Sequence, residues 1–184
     1  MKSKFILNGG FQKGNTNEDN TLFYSEILKD VGDNSKVLIV PFAKDPERVV
    51  QTTERVMDEF NKVKGSKNLS FEIANKESFT EQVKSSNVIY IQGGNTLKLM
   101  GVFKKFHGLK DLLVEGKTVA GESAGANALC TLFYSPSADG IYEGLGILPI
   151  KIIPHYTNKY EGIFNNTALY LDSLYLKEYE YKVL

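Results

Sequence analysis

Short apolar runs alternate with longer amphipathic segments along the chain, and this alternation predicts strands and helices in turn. The runs SKVLIVPFA (residues 35–43) and NVIYIQGG (87–94) are continuously apolar, which is typical of parallel strands buried on both faces. Between them, a periodic segment begins at Pro46 and ends at Gly65, as a helix does. The regular exchange of element types predicts an α/β fold, a three-layer sandwich whose mostly parallel sheet carries helices on both faces.

The same pattern predicts the other elements of the chain. Further strands are expected over residues 4–10, 69–74, 117–123, 147–158 and 179–184. Helices are expected over residues 17–31, 77–86, 95–105, 109–116, 124–134 and 163–177, the last from its amphipathic period, with a loop over 135–146. No repeat or linker interrupts this series, so residues 1–184 are predicted to form one domain.

Composition and charge narrow the classes of function. The chain has 22 Lys plus Arg and 22 Asp plus Glu, so its net charge favours neither a nucleic-acid nor an anionic-membrane partner. A single cysteine and an N-terminal apolar run of only Phe5–Leu7 predict a cytoplasmic protein without a signal peptide or membrane span. Two histidines with no ligand cluster predict no metal site, and we expect no cofactor.

The most informative motif is Gly-Glu-Ser-Ala-Gly, which contains Ser123. An apolar TVAG precedes the serine and a helix-forming ANALCTLF follows it, which is the strand–turn–helix context of a nucleophile elbow. The helix directs its N-terminal amides at the serine, so the Ala124 amide is a natural oxyanion donor. The alternative is a tight turn in which Ser123 only caps the helix.

Two other strand ends supply candidate partners for Ser123. The strand over 87–94 ends in Gly93-Gly94, which leaves room for a substrate and offers a second oxyanion donor. His155 follows the strand IKIIP at the same sheet edge, and we prefer it as the base over His107, which lies among lysines between helices.

The acid that would orient the histidine is not fixed by the sequence. Asp139 is the preferred candidate because its loop directly follows the helix after Ser123. Other acidic residues of the second half of the chain stay open: Glu143, Glu161, Asp172, Glu178 and Glu180. Glu122 is expected to point away from the site, because neighbouring side chains of a strand face opposite sides.

Three motifs occur in order, IQGGNTLKLM, GESAGANAL and IIPHYTNKY. Together they resemble the peptidase E (aspartyl dipeptidase) family of serine peptidases, with cyanophycinase a more distant relative. The resemblance implies a sandwich similar to class I glutamine amidotransferases and cofactor-free hydrolysis of short peptides, with an N-terminal aspartate preferred. It also implies Ser123 as nucleophile, His155 as base, and Gly94 and Ala124 as the oxyanion hole. Gly93, Asn95 and Thr157, which lie within these motifs, are the candidate substrate-binding residues.

The chain departs from this family in two ways. The family's acid is usually a glutamate after a strand that YEYKVL resembles, and this sequence stops at Leu184. Either that C-terminal segment is missing, or Asp139 replaces its acid, or the site is impaired. No arginine follows His155 to receive an acidic substrate. Two alternative functions therefore stay open, a carboxylesterase of the α/β-hydrolase type and a catalytically impaired binding protein.

Overall fold

The computed structural model describes residues 2–11 and 19–184. Its strands are β1 (Lys4–Asn8), β2 (Ser35–Val40), β3 (Leu69–Ile73), β4 (Val88–Ile91), β5 (Thr118–Glu122), β6 (Cys130–Ser135), β7 (Gly140–Glu143), β8 (Leu148–Ile153), β9 (Asp172–Tyr175) and β10 (Tyr181–Val183). Its helices are α1 (Asp19–Leu28), α2 (Pro46–Val63), α3 (Phe79–Ser85), α4 (Thr96–Phe103), α5 (Leu109–Leu113) and α6 (Ala124–Leu129). Residues 17 and 18 of the first predicted helix lie outside the described residues.

The main sheet has the strand order β10-β1-β5-β4-β2-β3. Its neighbours are parallel except for β10, which pairs antiparallel with β1 at one edge. Every residue of β4 and β5 is buried, which is why these strands are such uninterrupted apolar runs in the sequence.

Helices cover both faces of this sheet. On one face, α1 and α2 pack an aromatic cluster in which Tyr24, Phe60 and Tyr90 make edge-on and stacked contacts. On the other face, α3 to α6 pack around Phe79 and Phe103, whose rings stack at 5.9 Å. The predicted three-layer α/β sandwich with a mostly parallel sheet is therefore confirmed.

A second sheet, of order β7-β6-β8-β9, was not predicted. The expected helix over 124–134 is wrong after Leu129, where the chain turns into β6. Thr131, Phe133 and Tyr134 of this segment are β-branched or aromatic and favour a strand. Phe133 pairs with Tyr142 of β7 and with Ile152 of β8, so the expected loop over 135–146 contains a strand.

The predicted amphipathic helix over 163–177 is also wrong. This segment forms turns followed by β9, which pairs parallel to β8. The buried Lys151 donates from Nζ to the carbonyl oxygens of Thr167 and Ala168, and these bonds satisfy backbone acceptors that a helix would have used internally. Phe164 and Leu176 of this segment are buried whereas Leu169 and Tyr170 are exposed, so its apolar residues do not share one buried face.

β8 was expected in the main sheet and instead runs through the centre of the second one. Its carboxyl end nevertheless reaches the carboxyl end of β1, because the amide of His155 donates to the Gly9 carbonyl at 2.8 Å. None of the described helices is long and apolar enough to cross a membrane.

The aromatic cluster predicts where the stability of the main sheet resides. Phe60 of α2 is fully buried between Tyr24 and Tyr90. We expect Phe60→Ala to lower the free energy of unfolding by about 3–5 kcal/mol, because it leaves a cavity between the rings of Tyr24 and Tyr90. Chemical denaturation measures the change. Val50→Ala, at an exposed position of the same helix, is the control and should shift it by less than about 0.5 kcal/mol.

Candidate active site

Ser123 lies in a sharp turn between β5 and α6. Its backbone is in the left-handed region, with φ 48° and ψ −100°, which a serine adopts only when its surroundings enforce it. The two flanking glycines permit this turn. A Cβ on Gly121 would run into the backbone of Gly125 and Ala126, and one on Gly125 would run into the Ile91 carbonyl.

His155 reaches this serine from the end of β8. Its Nε2 atom lies 2.9 Å from Ser123 Oγ, within hydrogen-bonding distance. The backbone of His155 is also left-handed, with φ 50°. The structure therefore brings together the two residues that the sequence paired, and both are held in strained conformations of the kind found at functional sites.

Glu178 contacts the other ring nitrogen of His155. Glu178 lies in the connection between β9 and β10, and its Oε1 atom is 3.2 Å from Nδ1. A carboxylate only accepts hydrogen bonds, so Nδ1 carries the proton and Nε2 is left to accept one from the serine hydroxyl.

The structure does not place Asp139, the acid preferred from the sequence, against His155. Asp139 lies in the β6–β7 hairpin, where its carboxylate accepts a hydrogen bond from Tyr134 at 2.8 Å. Glu178, and not Asp139, contacts His155. From the sequence, Glu178 is one of several possible acids, because the strand β9 that precedes its connection has the apolar spacing of a helix.

The end of β1 fastens the three segments that meet at the site. Three consecutive carbonyls accept amides at 2.8–2.9 Å: Asn8 from Ser123, Gly9 from His155 and Gly10 from Tyr179. Two of these positions cannot carry a side chain. A Cβ on Gly9 would run into the Lys177 carbonyl, and one on Gly10 would run into the His155 ring.

The expected oxyanion donors lie next to Ser123. Gly94, with φ 144°, borders the same cavity as the serine, and its amide donates to no acceptor within the described residues. Ala124 is the first residue of α6, a position whose amide has no acceptor within its helix. A Cβ on Gly94 would run into the Ala43 carbonyl, which explains the glycine at this turn.

Two of the predicted substrate-binding residues do not line the cavity. Asn95 accepts the Lys98 amide at 3.0 Å and so caps α4, while Thr157 is exposed and precedes a short 3-10 helix at Asn158–Tyr160. Gly93 does line it. His107, the rejected alternative base, lies exposed between α4 and α5.

A cavity of about 330 Å³ opens in front of Ser123. The residues that line it include three cationic and two anionic side chains. They are Phe11, Lys44, Arg48, Thr52, Arg55, Gly93, Gly94, Glu122, Ser123, His155 and Glu178. In the described ranges, no group of three or more His, Cys, Asp or Glu side chains is arranged to hold a metal ion.

The cationic side chains of the cavity were missed by sequence analysis. Arg48 and Arg55 project from α2 two turns apart, with the buried Thr52 between them on the same side. Their spacing is the signal, but only the fold shows that this side of α2 borders the serine. Burial lowers the pKa of Lys44, and the charge of Glu122 opposes that shift.

Glu122 also lines the cavity, which contradicts the expectation that it points away. The alternation of side chains holds only inside an extended strand, and the left-handed backbone of Ser123 breaks it. The buried Tyr90 hydroxyl donates to Glu122 Oε2 at 2.9 Å, and the Tyr24 hydroxyl lies 2.9 Å from that of Tyr90. Burial raises the pKa of both phenols, so they stay protonated.

Similarities to known proteins agree with this arrangement. The chain is 30% identical over 149 residues to a peptidase E of Nostoc sp. (strain PCC 7120), covering 74% of this chain. It is also 30% identical over 86 residues to a peptidase E of Salmonella arizonae, covering 42% of this chain. The chain spans 60% of the length of the first relative and 38% of the second.

A solved structure of a peptidase from an acI-B1 Actinobacterium shares the fold. The TM-score is 0.73 at 21% identity, over 100% of this chain and 84% of that chain. The model of Peptidase family S51 matches residues 5–173. This chain therefore belongs to Peptidase family S51, and the resemblance to peptidase E that its three motifs carry is confirmed.

Proposed function

We propose that this protein is a serine peptidase that hydrolyses short peptides. The observation that carries the proposal is the continuous contact from Ser123 Oγ through His155 to Glu178. A hydroxyl, an imidazole and a carboxylate in this order are the groups that peptide hydrolysis by a serine requires. Membership of Peptidase family S51 also supports the proposal.

The proposed mechanism follows from the geometry. His155 Nε2 takes the hydroxyl proton as Ser123 Oγ attacks the scissile carbonyl, and Glu178 stabilises the resulting imidazolium. The amides of Gly94 and Ala124 would bind the oxyanion of the tetrahedral intermediate. His155 then gives its proton to the leaving amine, and a water molecule hydrolyses the acyl-enzyme by the same route. The reaction needs no cofactor.

The size and charge of the cavity favour small substrates that carry a negative charge. Its volume of about 330 Å³ lies at the lower end of the range for small-ligand sites, roughly 300–1,000 Å³. Lys44, Arg48 and Arg55 could receive a carboxylate, either an acidic side chain or the carboxyl terminus of a dipeptide. These cations precede Ser123 in the sequence, so the missing arginine after His155 does not argue against an acidic substrate.

The two alternative functions have less support. An impaired binding protein was considered because no acid was evident, and Glu178 now stands against His155. A carboxylesterase of the α/β-hydrolase type was suggested by the order of Ser123, Asp139 and His155, and Asp139 pairs with Tyr134 instead. The family match favours a peptidase over both.

The nucleophile and base are tested by substitution. We expect Ser123→Ala and His155→Ala each to abolish hydrolysis of a dipeptide panel, because either change removes the group that attacks or the group that takes its proton. Labelling by a fluorophosphonate should be lost in Ser123→Ala. His107→Ala is the control and should keep wild-type turnover. Full activity in either active-site variant would refute the assignment.

The acid is tested by comparing two isosteric substitutions. We expect Glu178→Gln to lower kcat/KM on the order of 10²-fold, less than for a fully buried acid because solvent reaches the pair. Asp139→Asn should leave kcat/KM within a factor of about two. The pH dependence of Ser123 labelling should shift only in Glu178→Gln. The reverse result would restore Asp139 as the orienting acid.

The cationic residues predict a charge preference. We expect a combined Arg48→Gln and Arg55→Gln variant to raise KM about tenfold for Asp-Leu relative to Ala-Leu, because it removes charged donors for a carboxylate. Lys62→Gln, at an exposed lysine of the same helix, is the matched control. Equal changes for both dipeptides would show that the arginines do not read the side-chain charge.

A further inference from the structure

Glu122 is a buried carboxylate at the wall of the cavity. Only 7% of the residue is exposed, and it borders the same space as Ser123. Within the described residues, no lysine, arginine or histidine forms an ion pair with it. Lys44 lines the same cavity and the charge of Glu122 acts on its pKa, but it lies beyond ion-pair distance, so a positive group that enters the cavity can still gain by pairing directly with Glu122.

One carboxylate oxygen is used by the protein and the other is left available. Oε2 accepts from Tyr90, whereas Oε1 accepts no hydrogen bond from the described residues. Oε1 lies against Gly93, where a Cβ would stand only 2.9 Å away. The absence of a side chain at Gly93 therefore keeps Oε1 uncovered toward the cavity.

We propose that Glu122 binds the free α-ammonium group of the substrate's first residue. The proposal rests on the proposed function and specifies where the amino terminus of the peptide binds. In a peptide, the α-nitrogen lies two bonds from the first carbonyl carbon, and Glu122 is next to Ser123 in the sequence and lines the same cavity. The bond formed is a charge-assisted hydrogen bond at Oε1.

The cavity is lined by charges of both signs, which can favour one orientation of the substrate. Glu122 attracts the ammonium group, while Arg48 and Arg55 of α2 attract a carboxylate. The reverse placement would put like charges together, which is unfavourable. Glu122 would act as the residue that selects for a free amine.

The test compares peptides that differ only at the amine. We expect wild-type kcat/KM for Asp-Leu to exceed that for N-acetyl-Asp-Leu by about tenfold or more, and Glu122→Gln to reduce that ratio toward one. The amide keeps the size of the side chain and an oxygen for Tyr90, and it removes the charge. Glu77→Gln, at an exposed glutamate outside the cavity, should keep the wild-type ratio.

A second measurement separates this inference from the proposed function. In Ser123→Ala protein, calorimetry should show Asp-Leu binding about tenfold tighter than N-acetyl-Asp-Leu, and adding Glu122→Gln should remove the difference. If the wild-type protein hydrolyses neither peptide, the proposed peptidase function is refuted. Equal losses of kcat/KM for both peptides in Glu122→Gln, or equal binding of both in Ser123→Ala, would overturn the role of Glu122.

Discussion

Three successive backbone carbonyls at the end of β1 hold the site together. Those of Asn8, Gly9 and Gly10 accept the amides of Ser123, His155 and Tyr179, each at 2.8–2.9 Å. Backbone bonds of this kind fix position without depending on side-chain rotamers, and here they join the main sheet, the second sheet and the β9–β10 connection. The two glycines are required because side chains there would displace the Lys177 carbonyl and the His155 ring.

The parts of the site that the sequence predicts are those set by local geometry. Ser123 is recognisable because small residues on both sides allow the turn between β5 and α6, and His155 because it directly follows an apolar strand. The main sheet is equally evident, since strands buried on both faces are continuous apolar runs. Peptide hydrolysis itself was inferred from the order of three motifs, and family membership agrees with it.

The parts that the sequence does not predict depend on distant pairing. Glu178 reaches His155 only because β9 joins the second sheet, and the apolar spacing of residues 163–177 resembled a helix face. Arg48 and Arg55 were unremarkable charges on a helix until the packing of α2 placed them at the cavity. Glu122 and Ser123 line the same cavity, although adjacent side chains of a strand face opposite sides, because the backbone of Ser123 is not extended. None of these placements is encoded within one element.

The antiparallel pairing of β10 with β1 links function to folding order. β1 lies near residue 5 and β10 near residue 182, so their pairing closes a loop of almost the whole chain. Contacts so distant in sequence carry a large loop-closure entropy and form slowly. Glu178 lies in the connection from β9 to β10, so the pairing of β10 with β1 helps to hold its carboxylate against the imidazole. A chain in which this pairing has not formed would hold the Glu178 carboxylate less firmly against His155.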